Sequence, residues 1–167
     1  MAKPSRIDFL EILRILRRHE VDGIVVGGVS GVLHGAPITT IDLDVVHSRT
    51  PANIDRLLAA LEELDAFARG QGERRLRPDR THLESGGHQL LMTVHGPLDL
   101  LGSVAGGRGY EDLVRHTVEM RVGSLAVRVV DLDTLIEMKE HAGRDKDKAV
   151  LAILKRTRDE GRKRGGR

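Results

Sequence analysis

The run Ile41-Asp42-Leu43-Asp44-Val45-Val46 constrains this chain more than any other segment. Aspartate is disfavoured in strands, yet two of them alternate here with aliphatic residues. A strand over Thr40 to Val46 would therefore put both carboxylates on one face and Ile41, Leu43 and Val45 on the other. Two like charges side by side need solvent, a shared proton or a neutralising cation. Mg²⁺, which takes oxygen ligands and arrives with substrate phosphates, is the cation that fits.

Two further features join this pair. Val25-Val26-Gly27-Gly28-Val29-Ser30 reads as a short strand from Gly23 to Val26, a glycine turn, and a helix from Val29 to His34. Such a turn brings backbone N–H groups toward whatever lies above it and suits a phosphate, although a pair of glycines also serves a plain tight turn. Ser30, in the first helical turn, is a candidate donor to the same phosphate, or a local helix-end residue. Asp99 stands alone in Leu98-Asp99-Leu100-Leu101, where a buried carboxylate needs a partner and an outward-facing one does not. Read jointly, Asp42, Asp44 and Asp99 supply the three carboxylates of a centre for up to two Mg²⁺ ions, with a nucleoside triphosphate (NTP) as substrate.

Composition narrows the alternatives. A chain of 167 residues without cysteine excludes disulfide scaffolds and cysteine-zinc sites and suits a reducing, cytoplasmic compartment. No segment reads as a signal peptide or membrane span, so no membrane partner is expected. Phe9, Phe67 and Tyr110 are the only aromatic residues, too few for a base-stacking platform. His82, His88 and His95 lie close in sequence but lack a cysteine or a His-Glu-x-x-His pattern, which discounts zinc. His34, His47, His116 and His141 are expected at the surface or at helix ends.

The remaining pattern is α/β (α+β). Ser5 is the expected cap of an opening helix with Ile7, Leu10, Leu13 (or Ile12) and Leu16 at helical spacing. Thr50-Pro51 opens a helix through about Leu64. Short strands are expected at Arg74 to Arg77 and Thr81 to Glu84, then at His88 to Val94 and Leu98 to Val104. One or two helical turns from Tyr110 to His116 precede a hairpin from Val118 to Val130. Asp131 caps a helix through Ala142, Gly143 stops it, and a last helix runs from Arg144 to about Arg158. Residues 1–158 then form one domain, with a mixed β-sheet, flanking helices and two C-terminal helices. Residues 159–167 form a basic, flexible tail. From Lys155 onward the chain carries seven Lys or Arg against Asp159 and Glu160, an attraction for nucleic acid.

Val26-Gly27-Gly28, Asp42-Leu43-Asp44 and Asp99, in this order and spacing, resemble the signature of the nucleotidyltransferase superfamily with the DNA polymerase β-type fold. The chain is similar in particular to the minimal nucleotidyltransferases and AbiEii-like toxins. The resemblance spans roughly residues 23–154. It implies that Gly27 and Gly28 form the phosphate-binding turn, that Asp42 and Asp44 bind metal, and that Asp99 is the third catalytic carboxylate. Thr40 matches a common family residue. Leu135-Ile136-Glu137-Met138-Lys139 and Gly143-Arg144-Asp145-Lys146-Asp147 resemble the closing helix pair, where Lys139 and Arg144 would face the triphosphate, although both also suit an ordinary charged helix surface. The implied activity is transfer of a nucleotidyl group to a hydroxyl of an RNA (tRNA) or protein acceptor, in a toxin of a toxin-antitoxin or phage-defence pair with a cognate antitoxin. One departure points to the alternative of a catalytically degenerate module that binds nucleotide, RNA or a partner protein: Ile38 stands where the family often has arginine.

Overall fold

Asp8 opens the first helix, its carboxylate accepting from the Glu11 N–H at 3.1 Å, which satisfies one of the free donors of the first turn. The computed structural model describes residues 6–166, so the expected cap Ser5 lies outside the described residues. This helix, α1 (Phe9–Arg18), buries Ile12, Ile15 and Leu16, while Ile7 stays 47% exposed. The buried stripe is thus displaced from the expected one, because the helix begins two residues after Ile7.

The chain continues through β1 (Gly23–Val26), α2 (Gly27–Leu33), β2 (Leu43–His47), α3 (Pro51–Glu63), β3 (Phe67–Ala68), α4 (Arg80–Glu84), β4 (His88–Thr93) and β5 (Gly96–Leu101). It closes with α5 (Tyr110–Leu113), β6 (Thr117–Val122), β7 (Leu125–Val130), α6 (Leu132–Ala142) and α7 (Asp145–Gly165). The strands form one seven-stranded sheet in the order β3-β4-β5-β2-β1-β7-β6. The β2–β5 and β1–β7 pairs are parallel and the others antiparallel, a mixed α/β architecture as expected.

Alternation along the central strands gives the sheet two cores. Val25, Leu43, Val45, Leu98 and Leu100 point to one face, where α1 and α3 cover them. Ile24, Val26, Val46 and Val130 point to the other, against Leu113 of α5, Leu135 and Ile136 of α6 and Leu154 of α7. A fully buried aliphatic side chain of this size contributes about 2 kcal/mol. Asp44 and Asp99 share the second face, beyond the edge of its apolar cluster.

Several elements differ from their sequence reading. Asp42 precedes β2 instead of lying within it, and Ile41 is 69% exposed. The helix after β1 starts at Gly27, so the glycines form its first turn. Thr81 to Glu84 lies in α4, not in a strand, because Asp79 caps it by accepting from the His82 N–H at 2.9 Å. Residues 74–77 form no strand. β5 begins at Gly96 and ends at Leu101. His47 is buried at 1% exposure, not at the surface. α7 runs on through Gly165, so the basic segment expected as a tail is largely helical, with Arg158 and Arg162 reaching Asp133 of α6. No helix among the described residues is long and apolar enough to cross a membrane.

Candidate active site

Parallel pairing of β2 with β5 sets Asp44 directly beside Asp99. Asp42 joins them from the segment just before β2, where the Thr40 hydroxyl donates to the Asp42 carbonyl oxygen at 3.1 Å. One oxygen from each of the three carboxylates can be chosen so that all lie within 4.8 Å of one another. Among the described residues no other group of acidic or histidine side chains converges in this way.

The two glycines explain how these side chains come so close. Gly27 has φ +66°, a conformation disfavoured for residues with a side chain, and a Cβ there would stand 2.0 Å from Asp44 Oδ2. A Cβ at Gly28 would stand 2.7 Å from Thr40 Oγ1. The glycine pair therefore leaves the space that the Asp44 carboxylate and the Thr40 hydroxyl occupy.

The cluster is short of positive charge. Asp44 makes no ion pair among the described residues. Burial, then the charges of Asp99 and Asp42, push its carboxyl up to about 7, helped by a hydrogen bond with Asp99 and opposed by Lys139. Asp99, 9% exposed, does have a partner: Arg69 Nη2 donates to its Oδ1 at 2.6 Å and stands 4.0 Å from Asp42 Oδ2. Arg69 follows the two-residue strand β3 and was not anticipated from sequence. Ile38, set against an arginine by the sequence resemblance, packs in the apolar cluster beneath α7.

The other anticipated residues divide. Lys139 and Arg144 come together, but on a shared carboxylate: Lys139 Nζ lies 3.2 Å from Asp147 Oδ1 and Arg144 Nε 2.9 Å from Asp147 Oδ2. Lys139 is also close enough for its charge to act on Asp44. Arg144 is 59% exposed. Burial opposes the charged form of Asp147, yet the hydrogen bonds from Arg144 and Lys139 outweigh it and hold the carboxyl below its ordinary range. Asp147 was read as part of a charged helix start; its place in the first turn of α7, three residues after Arg144, was the available signal. Ser30 is wholly buried, and its hydroxyl donates to the Gly27 carbonyl at 2.6 Å inside α2.

The three carboxylates fit a hard divalent cation: their oxygens converge, one has no counter-charge, and the glycine beside it leaves no Cβ in the way. The architecture around them is that of the nucleotidyltransferase fold. Solved structures that share it include a Thermotoga maritima protein with a provisional nucleotidyltransferase assignment, TM1012 (TM-score 0.56, 16% identity, covering 86% of this chain and 88% of that one). The lincosamide antibiotic adenylyltransferase LnuA, bound to lincomycin, matches at TM-score 0.60 and 12% identity, over 90% of this chain and 98% of that one. The antibiotic-resistance factor ANT(2'')-Ia matches at TM-score 0.54 and 12% identity, over 95% of this chain and 91% of that one. No family model matches the sequence, and no curated protein is significantly similar to it.

Proposed function

We propose that the protein is a Mg²⁺-dependent nucleotidyltransferase that moves a nucleotidyl group from an NTP to a hydroxyl of an RNA or protein acceptor. The observation that carries this reading is the convergence of Asp42, Asp44 and Asp99 on one sheet face beside Gly27, within a nucleotidyltransferase fold. Asp42, Asp44 and Asp99 would hold the metal, which when bound neutralises the triphosphate and acidifies the attacking hydroxyl.

The chain's own residues do the rest. Gly27 and Gly28, which the resemblance assigns to the phosphate-binding turn, let the Asp44 carboxylate and the Thr40 hydroxyl come up against the first turn of α2. Lys139 adds positive charge near Asp44. The acceptor oxygen bonds to the α-phosphorus as the bond from that phosphorus to the β-phosphate oxygen breaks. Pyrophosphate leaves, and the hydroxyl proton passes to a carboxylate, the role this reading gives to Asp99. RNA as acceptor is supported by α7, where Arg156, Lys163 and Arg164 are exposed and make no ion pair among the described residues. An AbiEii-like toxin with a cognate antitoxin rests on the sequence resemblance. A small hydroxylated molecule is the second acceptor reading, favoured by the fold shared with lincomycin-bound LnuA.

The test is the thermal melting shift of wild type and Asp42→Ala with each of the four ribonucleoside triphosphates, with and without Mg²⁺. A metal-dependent rise lost in the variant is expected. No shift with any nucleotide would replace this reading with the degenerate binding module that Ile38 suggests.

A further inference from the structure

Arg69 is held in two places at once. Its backbone N–H donates to the Leu90 carbonyl at 2.9 Å, continuing the β3–β4 pairing by one residue, and its Nη1 donates to the Leu91 carbonyl at 2.7 Å. Leu90 pairs with Asp99, and Asp99 with Asp44, so a single row across β4, β5 and β2 leads from the base of Arg69 to the carboxylates. With one guanidinium nitrogen fixed on Leu91, the other rests on Asp99 Oδ1 and faces Asp42. Among the described residues no other lysine or arginine pairs with any of the three aspartates.

We propose that Arg69 is a built-in counter-ion that competes with the divalent cation for Asp99 and Asp42, so that metal binds well only when it arrives with the nucleotide. This rests on the metal-dependent reading given above. A guanidinium does not deprotonate in a protein, so it can give up Asp99 only by moving. It has room to do so: its side chain is 25% exposed and its neighbour Leu90 48% exposed. An ion without nucleotide must displace this cation and leave it with one carbonyl partner. An ion carrying a triphosphate brings phosphate oxygens that a freed guanidinium can bind in the bidentate manner it favours. A lone positive charge also leaves the three carboxylates under-neutralised, which is why the arrangement stores a site for a doubly charged ion without closing it.

The experiment is calorimetric titration of the metal-free protein with Mn²⁺, alone and with a non-hydrolysable NTP analogue, for wild type, Arg69→Gln, Arg69→Lys and Asp42→Ala. Arg69→Gln is expected to bind Mn²⁺ alone at least about fivefold more tightly than wild type and to lose most of the nucleotide's enhancement, a coupling of ordinary size. Arg69→Lys is expected between the two, because an ammonium cannot span the Leu91 carbonyl and Asp99 together; it is the variant to read if Arg69→Gln fails to fold. Equal or weaker Mn²⁺ binding in the folded Arg69 variants would overturn the competition and leave the metal site standing. Absence of Mn²⁺ binding in every protein, with and without nucleotide, would instead overturn the metal-dependent reading itself. Asp42→Ala is expected to lose binding in both conditions.

Discussion

Asp44 and Asp147 are both largely buried aspartates on the same side of the molecule, and their surroundings treat them in opposite ways. Asp147 receives two cations, Lys139 and Arg144, and its carboxyl is held below the ordinary range. Asp44 receives none, and its carboxyl is pushed up to about 7. A buried charge is costly unless it is paired, so the first arrangement pins the start of α7 to α6, whereas the second leaves a demand that only something from outside can meet. The fold pairs the carboxylate that joins two helices and leaves unpaired the one that lies between Asp42 and Asp99.

The largest expected effect breaks the paired member. Asp147→Ala leaves Lys139 and Arg144 without their shared partner and is expected to cost about 2 to 4 kcal/mol, below the full value for a deeply buried pair because both cations reach solvent. Urea unfolding measures it. A loss under about 0.5 kcal/mol would mean that the α6–α7 junction is held by Leu135, Ile136 and Leu154 and by the outer ion pairs of Lys155, Arg158 and Arg162, without need of Asp147.

Gly27→Ala attacks the unpaired member through its backbone. A methyl group at φ +66°, aimed at Asp44 Oδ2, is expected to cost about 2 kcal/mol and to abolish the metal-dependent melting shift. A variant that melts like wild type and still responds to Mg²⁺ with nucleotide would show that Asp44 does not need the space.

Asp44→Asn tests the missing counter-charge directly, and its sign depends on pH. In the metal-free folded protein Asp44 keeps its proton up to about 7, whereas the unfolded chain loses it near the ordinary carboxylate value. Across that interval the unfolded state binds fewer protons, so this group's stabilisation is present at acidic pH and is lost as pH rises through about 7. Asparagine removes the dependence. In EDTA, the stability advantage of Asp44→Asn over wild type is therefore expected to widen by roughly 1 to 3 kcal/mol between pH 5 and pH 8. A gap that does not widen with pH would mean that Asp44 is already compensated. His47, whose buried ring favours the neutral form, opposes this trend in both proteins and cancels in their difference.

What the sequence disclosed follows the same division. Asp44 and Asp99 were legible because each interrupts an aliphatic strand, and α6 because Asp131 and Gly143 mark its ends with local chemistry: the Asp131 carboxylate accepts from the Thr134 N–H at 2.8 Å, and Gly143 has φ +61°. Arg69 was not legible, because it is placed by backbone pairing to β4, some twenty residues later in the chain, and β3 itself has two residues. Thr81 to Glu84 was misread as a strand because the cap that decides for a helix, Asp79, lies just outside the segment. α7 continues past the expected end, with Arg158 and Arg162 pairing across to Asp133, a cross-helix contact that the local run of charges and glycines conceals.

The smallest effect separates a residue of the site from one that merely lies near it. Ser30 follows the glycine pair, where a phosphate ligand is easily imagined, but its side chain is sealed from solvent and its hydroxyl donates to the Gly27 carbonyl within the same helix. Alanine at this position removes one intrahelical hydrogen bond and frees a carbonyl at the turn that carries Gly27. The expected cost is about 1 kcal/mol. Because the hydroxyl is buried within its own helix, the nucleotide-dependent melting shift should persist at its wild-type size from the lowered baseline. A variant that loses the nucleotide shift at unchanged stability would mean that Ser30 turns outward on binding, and would move it from the support of Gly27 into the site beside Asp44.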